Sequence, residues 1–240
     1  MPTLDSAPGG GDSCPIFAKE GRRAVVLCDG PPPPERLLEY WLTGADLFVC
    51  TDAAGHPYDQ LPCLPDVVIG DFDSLTGRLL SGRDGPRFLL VDDQHTTDSE
   101  KALLYIIEDG VTEAILLGAT GWRLDHTLFN CFLMERYADR LRICVSGYQC
   151  DTVRVDATRT VSWKLEVGTG FSLLPLGVGA TGVTTDGAQY PLLNADISPG
   201  GPAYVSNRIL ESPLLISLKA GSLLVTVDRG GWPRYEVGEA

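Results

Sequence analysis

Positive charge is scarce in this chain of 240 residues: 19 Lys and Arg stand against 32 Asp and Glu, a formal net charge of −13, and no run of basic residues occurs. Such a surface does not hold duplex nucleic acid or an anionic bilayer by bulk electrostatics. An acidic chain can still handle a phosphorylated ligand when a divalent cation stands between carboxylates and phosphates. Long apolar runs are also missing. Even Tyr105 to Ala119 is broken by three acids, so nothing reaches the about 18 successive apolar residues of a spanning helix. The Gly-, Pro- and Ser-rich residues 1–22 hold no apolar stretch of the secretory kind and are expected to be a mobile tail on a cytoplasmic protein. Neither G-x-x-x-x-G-K-[ST] nor G-x-S-x-G occurs, which removes the P-loop and nucleophile-elbow readings, and only 3 His are present. The 7 Cys are odd in number and include no C-x-x-C pair. They are expected to be free thiols, mostly buried, in a reducing compartment.

What is present suffices for a core, with 44% hydrophobic and 21% charged residues. From Ala24 to Cys150, short apolar runs (Ala24 to Cys28, Leu47 to Cys50, Val67 to Ile69, Phe88 to Val91, Ala114 to Leu117, Arg142 to Val145) alternate with helical spacing over Glu35 to Leu42, Asp98 to Glu108 and Leu124 to Tyr137. Apolar strands alternating with amphipathic helices predict a mainly parallel sheet covered on both faces, with its ligand crevice beyond the carboxyl ends of the strands. After Cys150 the helical spacing stops, and short strands near Thr160, Phe171, Ala203, Leu214 and Ser222 are separated by turn residues. The fold class is therefore α/β, a mainly parallel three-layer sheet domain followed by a small all-β sandwich domain. The boundaries expected are 1–22 for the tail, 23–150 for the first domain and 151–240 for the second. Gly177 to Gly182 matches G-x-G-x-x-G, but no helical pattern follows it, so a dinucleotide turn is rejected.

Three strand ends carry acids. Val67 to Gly70 runs into Asp71-Phe72-Asp73-Ser74. Two carboxylates two residues apart repel, and a metal ion relieves the repulsion, although the same residues also read as an Asx-turn with a helix N-cap at Asp73 or Ser74. The segment from Asp92 to Lys101 follows the next strand, and Thr97 or Asp98 can cap the helix whose free N–H groups would receive an anion. Gly118-Ala119-Thr120-Gly121-Trp122-Arg123 follows a third, offering an Arg fork for phosphate, with His126 and Asn130 on one helix face behind it.

Together these segments resemble the thiamine pyrophosphokinases. The resemblance runs from Cys50-Thr51-Asp52-Ala53-Ala54 through Gly70 to Ser74, Gln94 to Lys101 and Arg123-Leu124-Asp125-His126, then into Ser206-Asn207 and the Gly221 to Val225 strand, covering most of residues 24–228. It implies transfer of a pyrophosphoryl group from ATP to the hydroxyl of thiamine, in a homodimer whose site lies at the subunit interface. It further implies that Asp71, Asp73 and Asp98 are catalytic and hold Mg2+. Asp52, Gln94, Thr97, Lys101, Arg123, Asp125 and His126 would face the nucleotide, and Tyr190, Ser206 and Asn207 the thiamine. The chain departs from the family pattern at Trp122, where a Gly usually precedes the Arg, at His95, and at Ala53 to His56. Two other readings compete: a haloacid-dehalogenase-type phosphatase using the D-x-D strand end, and a non-catalytic thiamine- or nucleotide-binding module.

Overall fold

The computed structural model describes residues 14–52, 54, 60–72 and 85–229. Five parallel pairings join the first six strands: β1 (Arg23–Leu27), β2 (Leu47–Thr51), β3 (Val67–Gly70), β4 (Arg87–Leu90), β5 (Glu113–Leu117) and β6 (Arg142–Ser146). Their order across the sheet is β4-β3-β2-β1-β5-β6. The chain thus winds one way from β1 to β4 and then crosses back to β5, leaving a switch point between β1 and β5. The alternation of side-chain direction along β1 explains the layers. Val25 and Leu27 enter one apolar cluster with Leu37, Leu38 and Trp41 of α1 (Glu35–Thr43), whereas Ala24 and Val26 enter a second with α2 (Asp98–Glu108) and α3 (Leu124–Arg136). A strand with both faces covered is mostly apolar, and β1 is buried along its whole length, its one charge, Arg23, being paired with Glu113.

The second half does not begin as a separate sheet. β7 (Cys150–Asp156), which the turn-rich sequence around it conceals, pairs antiparallel with β6 on one side and with β13 (Ala220–Asp228) on the other. Hydrogen bonding therefore continues unbroken across residue 150, and the β-rich half grows out of the edge of the parallel sheet. The strand expected at Phe171 to Leu174 is part of β9 (Gly170–Asp186), whose 17 residues make it the longest element. Its first part pairs with β13 and β11 (Tyr204–Arg208), and its later part with β10 (Ala195–Ile197) and β12 (Leu214–Ser217), which in turn pairs with β8 (Val161–Trp163). The G-x-G-x-x-G run lies inside β9, as its rejection as a dinucleotide turn requires. Gly179 has a φ of 93°, and a Cβ there would sit 2.1 Å from the Ile197 carbonyl oxygen, so this glycine serves close strand approach at a bend.

No disulfide forms among the described residues: Cys14, Cys28, Cys50 and Cys144 are buried free thiols, while Cys63 is exposed. No helix among them is long and apolar enough to cross a membrane.

A buried ion pair fastens the end of the last strand to the seam. Arg229 Nη2 donates to Ser146 Oγ at 2.8 Å, to the Gly147 carbonyl at 2.9 Å and to Asp151 Oδ1. Burial pushes the Asp151 carboxyl up to about 6, against the opposing pull of Arg229. Removing one partner of such a pair strands the other charge, at a cost of about 3–5 kcal/mol. Arg229→Met should lose close to that amount at pH 8 in urea unfolding. Because the folded-state pKa lies above the unfolded value, the neutral acid is retained at low pH and its stability contribution is lost as pH rises through about 6. The deficit should shrink at pH 5; an equal deficit at both pH values would refute this account of the seam.

Candidate nucleotide and metal site

The carboxyl ends of β1 and β5 border a cavity of about 200 Å³ at the switch point, the position at which open α/β sheets bind ligands. The start of α2 (Thr97, Asp98, Ser99) and the β5–α3 loop (Thr120 to Arg123) form its walls, with His126 and Asn130 behind. Thr97 is the N-cap of α2: its side chain accepts from the Glu100 N–H at 3.3 Å, leaving other free N–H groups of the first turn to receive an anion. Of the residues expected at the nucleotide, Thr97, Arg123 and His126 border this cavity, and Gln94, Asp52, Lys101 and Asp125 do not; Asp98, expected at the metal, borders it as well.

Beside the cavity, Lys101 is buried and its ammonium lies 2.8 Å from Asp98 Oδ1 and 3.8 Å from Asp71 Oδ2. Burial by itself lowers a lysine pKa, but the hydrogen bond that Lys101 donates to Asp98 and the charges of Asp98, Asp71 and Asp52 outweigh it and raise the group above its usual value. Asp52 is 3% exposed and supports this arrangement from below. Its carboxylate accepts the Phe72 N–H at 3.0 Å and therefore holds the strand-end turn that carries Asp71. A Cβ at Gly70 would come within 2.5 Å of the Asp52 Cβ, so a glycine is required where the two strand ends meet. Asp73 lies outside the described residues.

The donor chemistry fits a magnesium ion. Asp71 and Asp98 offer only hard oxygen atoms and already converge on one positive charge, as Mg2+ prefers. No group of three or more His, Cys, Asp or Glu side chains suited to a metal forms among the described residues.

Two features differ from expectation. The Arg123 fork is directed at Asp125, with Nε to Oδ1 at 3.1 Å and Nη2 to Oδ2 at 2.6 Å, and not into the cavity. The spacing of two residues at the exposed start of α3 makes this pair geometrically cheap, and the Arg123 hydrogen bonds hold the Asp125 carboxyl down at about 2. This exposed pair occupies Nε and Nη2 of the fork, so a bidentate grip on phosphate through those atoms requires Arg123 to leave Asp125. The second feature is Asp29, which sequence reading passed over. It borders the cavity directly after β1, and its carboxyl is pushed up by burial and by the Asp98 charge, with His126 pulling it down. An acid directly after an apolar strand was the available signal, hidden by the four prolines that follow Gly30.

Tyr190, Ser206 and Asn207 gather elsewhere, on the β9–β11 side. Asn207 Oδ1 accepts the Tyr190 N–H at 3.1 Å and its Nδ2 donates to the Tyr190 carbonyl at 2.9 Å. This reciprocal pair fixes the backbone under an aromatic ring that is 65% exposed. Ser206 donates its N–H to Ser172 Oγ at 3.0 Å.

Residues 38–145 match the family described as "Thiamin pyrophosphokinase, catalytic domain", and residues 158–223 match "Thiamin pyrophosphokinase, vitamin B1 binding domain". The chain belongs to the thiamine pyrophosphokinase family. Among relatives, thiamine pyrophosphokinase 1 of Arabidopsis thaliana is 29% identical over 72% of this chain and 74% of its own length. The solved thiamin pyrophosphokinase of Geobacillus thermodenitrificans is 27% identical, with a TM-score of 0.74 over 86% of this chain and 97% of that one. The Candida albicans structure shares the fold at 14% identity, with a TM-score of 0.73 over 87% of this chain and 89% of that one. Membership in the thiamine pyrophosphokinase family accounts for both halves of the chain, and neither the phosphatase nor the non-catalytic reading finds support.

One side chain keeps the β5–α3 loop in shape. Asn130 is buried, and its Nδ2 donates to the Ala119 carbonyl at 2.8 Å. Asn130→Ala leaves that buried oxygen without its donor and should cost about 1–3 kcal/mol in denaturant unfolding. A loss below a few tenths of a kcal/mol would mean that the loop is held by other contacts.

Proposed function

We infer that this chain carries out the reaction for which its family is named, transferring the pyrophosphoryl group of ATP to thiamine to give thiamine diphosphate and AMP. The observation that carries the reading is the match of both halves, in order, to the catalytic and vitamin-binding descriptions of that family. In the transfer, the thiamine hydroxyl oxygen bonds to the β-phosphorus, the bond from that phosphorus to the oxygen of the departing AMP breaks, and the hydroxyl proton passes to a carboxylate, with Asp71 and Asp98 the candidates. Such chemistry depends on in-line positioning and charge neutralisation more than on covalent catalysis.

The roles follow from position. Thr97, Ser99 and the N–H groups at the start of α2 receive phosphate oxygens. Arg123 is the mobile cation that leaves Asp125 for the polyphosphate. Asp71 and Asp98, with Asp73, would hold Mg2+, which when bound neutralises phosphate charge and organises the polyphosphate. Lys101 keeps the two carboxylates convergent. Asp52 acts through the Asp71 turn, and Gln94 and His126 line the approach. Tyr190 faces the cationic thiazolium, an interaction of about 0.5–2 kcal/mol, with Ser206 and Asn207 shaping the pocket.

We take 23–150 as the catalytic domain and 151–240 as the thiamine-binding domain and read the protein as cytoplasmic; the tail expected at 1–22 does not extend to residue 22, because Cys14, Ile16 and Phe17 are buried in the core of the first domain. The functional unit is a homodimer. In sheet order, β11 lies five strand steps from β5, about 24 Å at about 4.8 Å per step. That separation along the sheet is an argument for a site completed by a second copy. Leu124, Leu128 and Phe132, spaced four apart on α3, expose an apolar stripe of the kind that a second copy covers.

Purified protein given ATP, Mg2+ and thiamine should form AMP and thiamine diphosphate in equal amounts; ADP, or phosphate released without thiamine, would overturn the reading. Asp98→Asn should lower kcat by roughly 100-fold or more with the fold retained. The dimer has its own check, at subsaturating thiamine. Asp98→Asn and Tyr190→Ala proteins should on mixing and subunit exchange exceed the mean of their separate activities, the excess approaching about a quarter of wild type, since half of the dimers then hold one intact composite site. Additive residual activities would rule out a site shared between subunits.

A further inference from the structure

The β5–α3 loop carries one side chain that phosphate chemistry leaves unused. Trp122 borders the cavity, yet 75% of it is exposed, and its φ is 22°, in the left-handed region that a bulky residue enters only at a cost. The loop is held in that shape from both sides. The Gly121 N–H donates to Thr127 Oγ1 at 3.2 Å, Thr127 Oγ1 donates to the Arg123 carbonyl at 3.0 Å, and Asn130 holds Ala119. Gly121 itself has a φ of 101°, and a Cβ there would lie 2.6 Å from Pro31 Cγ. The indole is thus presented at the mouth of the cavity by a backbone whose neighbours determine its conformation.

The remaining described walls of the cavity are polar side chains, backbone and the small residues Cys28 and Ala119, so Trp122 supplies the large apolar face among them. A phosphate gains nothing from such a face, and its partners are the N–H groups at the start of α2. A planar heterocycle does gain, because bases stack on aromatic side chains irrespective of their hydrogen-bonding edges. We propose that Trp122 is a base-stacking residue of the donor site, receiving the nucleobase of the triphosphate on its indole face. The assignment rests on the pyrophosphokinase reading above and adds to it a contact that the family's usual Gly at this position cannot make.

The variants Trp122→Gly and Trp122→Phe, in the full chain, test it. Glycine suits a positive φ, so Trp122→Gly should unfold at a temperature no lower than wild type, which separates binding from folding. The KM for ATP should rise about tenfold in Trp122→Gly and recover largely in Trp122→Phe, with kcat and the KM for thiamine changed less than about twofold. In titrations with ATP and Mg2+ but no thiamine, wild-type tryptophan fluorescence should be quenched, and the quench should vanish in both variants. An unchanged KM for ATP in Trp122→Gly, a shift in the KM for thiamine instead, or a quench that survives the substitutions would overturn the stacking role while leaving the pyrophosphokinase reading intact. Wild-type protein showing neither turnover nor quenching would overturn both.

Discussion

Repulsion between carboxylates gathered at one edge of a parallel sheet is the constraint around which this structure is organised. Parallel strands all end on the same side, so Asp29, Asp52 and Asp71, though far apart in sequence, follow β1, β2 and β3 at that edge. Asp98 joins them from the start of α2. Like charges brought this close raise one another's pKa or demand a cation. The protein provides one internally in Lys101, whose ammonium is buried between Asp98 and Asp71 and feels the Asp52 charge as well. The residual excess of negative charge is what the divalent ion proposed above would neutralise, and through that ion an acidic protein could accept a polyphosphate it would otherwise repel. A cationic second substrate is favoured by the same sign of charge.

That edge is kept rigid by its supports. α2 and α3 flank the cavity with their N-termini and are tied to each other through Glu100, which is fully buried, accepts the Tyr137 hydroxyl at 2.6 Å and pairs with Arg136 at 3.1 Å. Burial and the neighbouring Glu100 push the Tyr137 hydroxyl up to about 12, so it remains a donor at any physiological pH. On the far side, the Arg229–Asp151 pair and the shared pairing of β7 join the two halves into one sheet. Ser206 and Asn207 on β11, and Tyr190 after β9, are therefore held in a set place relative to the cavity between β1 and β5 of the same chain.

Much of this was legible in the residues. The six apolar runs of the first half are β1 to β6, and the three helical stretches are α1 to α3, because strands buried on both faces and helices buried on one leave different periodicities. Gly70 as the point of close approach followed from local chemistry alone, and so did a cap at Thr97 or Asp98, of which the structure selects Thr97. Less local features were not readable. β7 was hidden because a strand alternating buried and half-buried residues, as Cys150 to Asp156 does, resembles the turns around it. Asp29 was masked by its prolines. The outward-facing Leu124, Leu128 and Phe132 look like core positions in a helical pattern, since periodicity shows which residues share a face and not what covers it.

The sequence by itself determined the class of fold, the family and the strand ends at which acids would be found, because these depend on spacing along the chain and on residue chemistry. Only the tertiary structure decided which acids face one another, that Lys101 stands between two of them, that Arg123 is occupied by Asp125, and that β11 with Ser206 and Asn207 lies several strands from the cavity at β1 and β5. Those facts depend on strand order and on the direction of side chains in space. Neither is set by local spacing, because both arise from the crossover at β1 and β5 and from the pairing of β7.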